Sequence, residues 1–298
     1  YACEDSVWCL AIHQRYYESI VNEPPPFQGY KFTLGTNIFE TRMEQIRDQD
    51  RLDEVELKIW EEPVEDGIYV IGCDPAYGRT EWADRHCVQC FRAYADKLVQ
   101  VAEWATAEVE THHCAWVLAY LAGAYRDCIV NLELGGPGRA ILREFDQLKE
   151  RVHADMYATR VRNLEWDDFL SQARWYLYHR PDSPGPGFAL SFETTWRSKM
   201  ELMNQLRDSF TTDILMPRSL AMLDEMRTIV QTRSDIAPEA PGRYKDDRVF
   251  AAALANRAWI DMLRTRLIHE GATYEVVSQA ERGELNATQQ TIRRIVYD

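Results

Sequence analysis

Three kinds of sequence feature are missing, and each absence removes a class of protein. No apolar run approaches the roughly 18 residues of a membrane-spanning helix, so no membrane partner is predicted. The seven cysteines are odd in number and too thinly spread for a disulfide scaffold. No G-x-x-x-x-G-K-[S/T] string occurs, so ATP hydrolysis through a phosphate-cradling loop is not predicted for this chain.

The single C-x-x-C pair, Cys87 and Cys90, has the spacing of a metal site, with His86 and Cys114 nearby in sequence. The pair falls inside a strand-like run, however, where residues three apart face opposite sides of a sheet. No second C-x-x-C pair follows. We therefore expect reduced, buried thiols, as in a cytoplasmic protein, rather than a structural zinc site.

Basic residues are outnumbered, since 34 Lys and Arg stand against 48 Asp and Glu and leave a net charge of −14. Such a charge argues against a polyanionic partner. The excess is concentrated in residues 1–66, which hold 15 acidic and 6 basic residues and leave only −5 for the other 232 residues. A protein that holds divalent cations with its carboxylates also gains positive charge on loading, so the net charge weakens a nucleic-acid interpretation without removing it.

The chain has 298 residues, 46% of them hydrophobic, which is enough to bury a sizeable core in one or two domains. It begins with Tyr1 rather than Met, and we expect it to be part of a longer protein. We predict an acidic N-terminal arm or linker (1–60), a main domain (61–270) and a polar tail (271–298). Helical spacing over 7–21 and an amphipathic piece near 37–52 belong to the arm.

The chain is organised around the segment 67–78, G-I-Y-V-I-G-C-D-P-A-Y-G. Ile68–Cys73 is a short apolar run rich in β-branched and aromatic residues, which predicts a strand buried on both faces. The strand ends in a carboxylate, Asp74, because Pro75 cannot donate to a ladder and Gly78 favours a turn. Ligands and metals are usually bound at such an edge of an α/β sheet.

The segments after Asp74 predict the elements of a mixed sheet. Two strand-like runs, 85–94 and 97–106, would complete a three-stranded antiparallel meander with the first strand. Further elements follow from apolar spacing and capping residues: a helix over 109–125, a fourth strand over 127–134, a helix over 139–151, strand character in 174–179, a helix to Phe210 capped by Thr194 or Thr195, a helix from Pro217, and a helix opened by Asp246 and Asp247.

Acidic residues occupy similar positions in three of these segments. Asp74 and Glu133 each end a predicted strand before a glycine-containing loop, and Asp246-Asp247 open a helix after another loop. If the first and fourth strands are adjacent and parallel, their ends lie about 5 Å apart, within reach of shared metal ions. Each site has a structural alternative, since acids are common in turns and at helix N-termini. Together, in the order meander–helix–strand–helix, they predict a ribonuclease-H-like α/β fold with a central mixed β-sheet flanked by helices.

Four segments resemble a known family, the large terminase subunits of tailed bacteriophages, in their C-terminal nuclease domain. The resemblance covers roughly residues 33–268 and keeps the family's order and spacing. The segments are I-W-E-E-P-V-E-D-G-I-Y-V-I-G-C-D-P-A-Y-G (59–78), I-V-N-L-E-L-G-G-P-G (129–138), T-T-W-R-S-K-M-E-L-M-N-Q-L (194–206) and G-R-Y-K-D-D-R-V-F-A-A-A-L-A (242–255).

The resemblance implies an endonuclease that cuts concatemeric phage DNA during packaging in the host cytoplasm. Asp74, Glu133 and one or both of Asp246 and Asp247 would hold two Mg²⁺ or Mn²⁺ ions for phosphodiester hydrolysis. Asp84 aligns with a further acid of the family. The portal protein, the small terminase subunit and an ATPase domain, in a longer form of this chain or in a separate polypeptide, would be its partners in the motor.

Basic residues beside these motifs are the expected contacts to double-stranded DNA, with a solvated surface charge as the alternative for each. They are Arg79, Arg139, Lys199, Lys245 and Arg248. Two other functions remain open at this point. One is another ribonuclease-H-like nuclease, such as a resolvase or transposase, which would prefer branched DNA or transfer strands. The other is a non-catalytic module that docks on a portal.

Overall fold

The computed structural model describes residues 10–36, 38–77, 84–144, 147–148, 176–178, 192–231, 238–240 and 244–282. In these ranges, no helix combines the length and the apolar character needed to cross a membrane. The strands of these ranges form one mixed nine-stranded sheet. They are β1 (Gln28–Thr33), β2 (Arg42–Ile46), β3 (Leu57–Ile59), β4 (Tyr69–Asp74), β5 (His86–Ala93), β6 (Leu98–Thr106), β7 (Cys128–Leu132), β8 (Tyr176–Leu177) and β9 (Leu215–Met216).

The strand order is β2-β1-β3-β6-β5-β4-β7-β8, with β9 paired to β6. Strands β4, β5 and β6 form an antiparallel meander, while β7 is parallel to β4 on its other side and β8 is parallel to β7. The five strands β6-β5-β4-β7-β8 have the order and directions of a ribonuclease-H-like sheet. The predicted fold class is therefore confirmed, and β4 is the central strand that it requires.

Helices cover both faces of the sheet. They are α1 (Leu10–Asn22), α2 (Thr111–Ala124), α3 (138–144), α4 (Trp196–Thr211), α5 (Leu220–Thr228), α6 (Asp247–Ala258), α7 (Arg264–His269) and α8 (Tyr274–Glu281). One apolar layer joins α2 and α3 to Tyr69, Ile71 and Cys73 of β4. The opposite layer joins α1, α4, α5 and α6 to Val70 of the same strand. Alternate residues of β4 thus enter opposite cores, as expected for a strand buried on both faces.

Most of the predicted elements are found close to their predicted bounds. The meander strands, the helix after them and the fourth strand correspond to β5, β6, α2 and β7. Helix α4 begins with a capping box, in which the Thr195 side chain accepts from the Ser198 backbone and the Ser198 hydroxyl accepts in return. Of the predicted helix over 139–151, residues 145–146 and 149–151 lie outside the described residues, and so does most of the predicted strand over 174–179.

The segment predicted as an N-terminal arm differs from the expectation. The amphipathic piece near 37–52 is not one helix, because strand β2 lies between two 3₁₀ turns, Ile38–Glu40 and Gln49–Glu54. Strands β1, β2 and β3 extend the main sheet through the pairing of β3 with β6. Phe32, Leu57 and Ile59 are buried there. Tertiary burial thus overrides weak local helical spacing.

The start of the predicted polar tail also packs on the domain. The Ala95 backbone N–H donates to the Ala272 carbonyl at 2.8 Å, and the Tyr94 and Tyr274 rings meet edge to face with their centroids 5.1 Å apart. At the end of α8, Glu281 pairs with the buried Arg92 of β5. The described part of the tail therefore covers one end of the meander. Domain boundaries at 60 and 270 remain predictions.

Candidate functional site

Asp74 and Glu133 lie side by side at the carboxyl edge of two neighbouring strands. Strands β4 and β7 pair in parallel up to Cys73 and Leu132, and the Glu133 backbone N–H then donates to the Cys73 carbonyl at 3.0 Å. The residues that follow, Asp74 and Glu133, therefore place their carboxylates at the same edge of the sheet. The expectation that the first and fourth strands are adjacent and parallel is confirmed.

The glycine-rich loop after β7 folds back against Glu133. A Cβ on Gly138 would lie only 1.7 Å from the Glu133 carbonyl oxygen, which no side chain tolerates. Gly136 has a φ of +53°, in the left-handed region that favours glycine. This tight turn ends in helix α3. The sequence Gly135–Gly138 therefore holds the backbone around Glu133 in one narrow path.

A close helix-to-strand contact brings the third acidic segment to the same edge. Gly72, in the middle of β4, has no side chain, and a Cβ there would lie 1.9 Å from the Ala251 carbonyl oxygen of α6 and 2.7 Å from the Ala255 nitrogen. The Asn131 side chain of β7 donates to the Leu254 carbonyl of the same helix at 2.8 Å. Helix α6 thus lies directly on β4 and β7, and its first turn carries Asp246 and Asp247.

The four carboxylates interact with one another electrostatically. Burial, and then the charges of Glu133, Asp247 and Asp246, raises the pKa of the Asp74 carboxyl well above its ordinary value. Burial also raises the pKa of Asp247 to about 6, although its Oδ2 accepts a hydrogen bond from the Arg85 backbone N–H at 3.0 Å. Sequence segments that lie far apart along the chain therefore place their negative charge at one edge of the sheet.

Among the described residues, one cationic side chain forms an ion pair with these acids, and the charge of Lys245 also acts to lower the pKa of Asp247. The Lys199 Nζ lies 3.1 Å from Asp246 Oδ2 and 5.3 Å from the centre of the Phe250 ring. No ion pair from a described residue reaches Asp74, Glu133 or Asp247. A cluster of carboxylates without a matching number of cations favours the binding of divalent metal ions.

The donor set fits a hard divalent cation, because every candidate ligand is a carboxylate oxygen. Among the described residues, no three His, Cys, Asp or Glu side chains are already closed on a common point. The acids are therefore grouped at one edge but do not form a finished cage. Free, buried thiols are found at Cys73, Cys87, Cys90, Cys114 and Cys128.

The predicted DNA contacts have different surroundings. Arg139 is exposed at the start of α3 and pairs with Glu193 at 2.9 Å. Lys245 pairs with Asp84, just before the acids of α6. Lys199 reaches Asp246, as described above. Arg79 lies outside the described residues.

Arg248 is the exception to the expected DNA contacts, because it lies inside the protein. Its Nε donates to Glu103 Oε1 at 3.1 Å, and its guanidinium also donates to Glu225 Oε1 at 2.5 Å. The Arg248 backbone N–H donates to Glu225 Oε2 at 2.8 Å. The Arg248 side chain is 15% exposed, and its guanidinium is engaged by two buried carboxylates, so the structure favours a structural ion pair at Arg248 over the expected DNA contact.

Two positioning residues were not singled out for a role by sequence analysis. Glu225 of α5 binds the first turn of α6 through the Arg248 backbone, directly after Asp247. His86 accepts a hydrogen bond at Nδ1 from the Ala76 backbone N–H at 3.1 Å, and its Nε2 lies 3.2 Å from the Val109 carbonyl. His86 therefore holds the chain just after Asp74. Neither contact has a local sequence signal, because each joins residues separated along the chain.

Comparison with known proteins gives no match among protein-family models and none among curated proteins. Several solved structures are similar at low identity. The large terminase nuclease of thermophilic phage G20c with bound magnesium has 18% identity and a TM-score of 0.47 over 68% of this chain and 87% of that one. The Thermus phage P74-26 large terminase nuclease domain has 18% identity and a TM-score of 0.41 over 67% and 84%.

A third similar structure is the manganese-soaked human cytomegalovirus terminase nuclease domain. It has 14% identity and a TM-score of 0.44 over 85% of this chain and 96% of that one. All three structures are terminase nucleases, two of them from phages.

Proposed function

We propose that this chain is the metal-dependent DNA endonuclease of a phage large terminase, which cuts concatemeric viral DNA during genome packaging. The observation that carries the proposal is the meeting of four carboxylates at one sheet edge. They come from β4, from the end of β7 and from the first turn of α6. Close backbone contacts at Gly72 and in the Gly135–Gly138 loop bring them together, and these contacts leave no room for a side chain at Gly72 or Gly138. Such a convergence has no structural benefit while the charges are unneutralised.

Asp74, Glu133 and Asp247, with Asp246 beside them, are the proposed ligands of two Mg²⁺ or Mn²⁺ ions. Bound there, the ions would lower the pKa of an attacking water and stabilise the leaving 3′ oxygen of a phosphodiester. We assign the inner position to Asp247 rather than Asp246. Asp247 is buried and fixed by the Arg85 backbone N–H, whereas Asp246 is already in contact with Lys199.

The protein's own groups orient the reactants around this edge. The Arg85 backbone N–H donates to one oxygen of Asp247 and so fixes the orientation of the carboxylate. The other oxygen remains available to a metal ion. Lys199, Lys245 and Arg139 border the acids and are the proposed phosphate contacts. In the motor, the portal protein, the small terminase subunit and an ATPase domain would deliver duplex DNA to this edge in the host cytoplasm.

Cleavage of supercoiled plasmid tests the proposal. We expect nicking and linearisation with Mn²⁺ or Mg²⁺, none with EDTA, and loss of cleavage in Asp74→Ala and Glu133→Gln. The matched control is Asp53→Ala, which removes an exposed carboxylate from the 3₁₀ turn Gln49–Glu54. Cleavage that survives both site substitutions contradicts the assignment. A four-way junction cut in preference to linear duplex would point instead to a resolvase.

A further inference from the structure

Three aromatic side chains stand out on the surface of the described residues. Tyr77, Trp196 and Tyr244 are 74%, 63% and 63% exposed, more than any other large apolar side chain there. Aromatic rings normally bury their faces in a core, and exposed Tyr and Trp are typical of binding surfaces. None of the three rings stacks on another aromatic ring of the described residues. We call them the aromatic rim.

Each ring of the aromatic rim belongs to a segment that reaches the carboxylate edge. Tyr77 follows Asp74 by three residues, and its ring lies over the loop after Glu133, since a Cβ on Gly136 would be 3.4 Å from the Tyr77 Cε2. Tyr244 precedes Asp246 by two residues. Each of these two rings is therefore tied to a segment that carries a proposed metal ligand.

The third ring belongs to a helix that contacts the edge. Trp196 is the first residue of α4, and Lys199, one turn further along, contacts Asp246 at 3.1 Å. The rim thus comprises three rings from three separate segments, and each segment also carries a residue of the acidic edge or one in contact with it.

Two of the three rings are followed directly in the sequence by a cationic residue. Arg197, with a side chain that is 79% exposed, follows Trp196, and Lys245 follows Tyr244. A positive charge beside an aromatic face is the pattern with which proteins bind single-stranded nucleic acid, because the charge holds a phosphate while the ring stacks on a base. A duplex offers its bases only within the stack, so exposed rings gain little from perfect B-form DNA.

We infer that the aromatic rim binds unstacked bases beside the scissile phosphate, so that the preferred substrate is DNA opened or distorted at the cut. The inference rests on the proposed nuclease function, and it adds a substrate class to it. Tyr77 and Tyr244 would stack on bases next to the metal ligands, and Trp196 on a base held by the Arg197 and Lys199 charges.

Binding to matched DNA ligands tests the inference without cleavage. The full chain carrying Asp74→Asn is titrated with a fluorescent duplex and with the same sequence containing a short central bubble. A 2-aminopurine in the bubble reports stacking by its quenching. We expect the bubble to bind roughly 5- to 150-fold more tightly for each stacked base, with quenching of the 2-aminopurine.

Substitutions in the rim separate stacking from general adhesion. Tyr77→Ala, Trp196→Ala and Tyr244→Ala should each reduce the bubble preference, and Trp196→Phe should retain most of it. Phe27→Ala is the control, because Phe27 is 41% exposed but packs beside Trp60 and Lys58 rather than at the acidic edge. Equal affinity for bubble and duplex, or an equal loss on Phe27→Ala, overturns the inference.

The outcomes also distinguish the inference from the proposed function. Bubble binding with quenching, in a protein that cuts no plasmid with any metal, supports the rim and contradicts the nuclease. Metal-dependent cleavage with no preference for opened DNA supports the nuclease and contradicts the rim. Rim variants that bind both DNAs as the parent does show that the rim serves another partner, and this result also overturns the inference.

Discussion

Replacing Gly72 by alanine should disturb the whole candidate site, although the residue carries no chemistry. The added Cβ would lie 1.9 Å from the Ala251 carbonyl oxygen, where ordinary contact begins near 3.4 Å. Helix α6 would therefore have to move away from β4 by about 1.5 Å. The obstructing atoms belong to the helix backbone, so no side-chain rotation can relieve the contact.

We expect a loss of about 3 kcal/mol in the free energy of unfolding, the upper part of the usual range for overpacking. The shift would also pull the Asn131 side chain from the Leu254 carbonyl, and Asp247 away from Asp74 and Glu133. Urea unfolding measures the stability, and calorimetric titration with Mn²⁺ measures the effect on the acids. The free energy of unfolding and the affinity for Mn²⁺ should both fall.

The control is Gly29→Ala in β1. A Cβ there meets the Val55 side chain at 2.8 Å, and a valine methyl can turn aside. We expect the free energy of unfolding to change by no more than about 1 kcal/mol, because the Val55 side chain can move to accommodate an extra methyl group at small cost. Mn²⁺ binding should be unchanged. Wild-type stability and Mn²⁺ affinity in Gly72→Ala would refute the close packing of α6 on β4.

Two further predictions concern buried groups around the site. Arg248→Met should lower the free energy of unfolding by about 3 to 5 kcal/mol in urea, since it leaves Glu103 and Glu225 buried without their cation. Arg197→Met, which removes only an exposed pair with Glu201, should cost less than about 1 kcal/mol, and equal losses would contradict the buried network. Burial lowers the pKa of His86 below its ordinary 6.5, so the unfolded chain takes up the proton first as the pH falls. The contribution of His86 to stability is therefore complete above about pH 6.5 and is lost below it. The melting temperature should fall less between pH 7.5 and 5.5 in His86→Gln than in the wild type, and identical slopes would count against a buried neutral His86.

The central part of the fold and its acids were predictable because their signals are local. Short apolar runs bounded by proline and glycine marked β4 and β7, and a carboxylate stood at the end of each. Two adjacent acids before an alanine-rich stretch marked the start of α6. The sequence order of these elements then fixed their arrangement in the sheet, because a meander followed by a helix and a parallel strand has few alternatives.

The surroundings of the site were not predictable, because they depend on contacts between distant residues. Arg248 stands among the acids in sequence and was expected to bind DNA, yet Glu103 and Glu225, which pair with it, lie 145 and 23 residues away. Strands β1 and β2 were missed because they are mostly polar and only partly buried, and β3 because it has three residues. Of the three, only β3 pairs with the meander. The exposure of Tyr77, Trp196 and Tyr244 likewise has no local signature.

The most direct test of the account is a calorimetric titration of the protein with Mn²⁺, comparing the wild type with Asp74→Asn and Glu133→Gln. We expect two bound ions in the wild type, a marked loss in each variant, and wild-type binding in Asp53→Asn, which alters an exposed carboxylate outside the site. Wild-type binding of Mn²⁺ by Asp74→Asn, or an equal loss in Asp53→Asn, would contradict the claim that the acids of this sheet edge hold the metal.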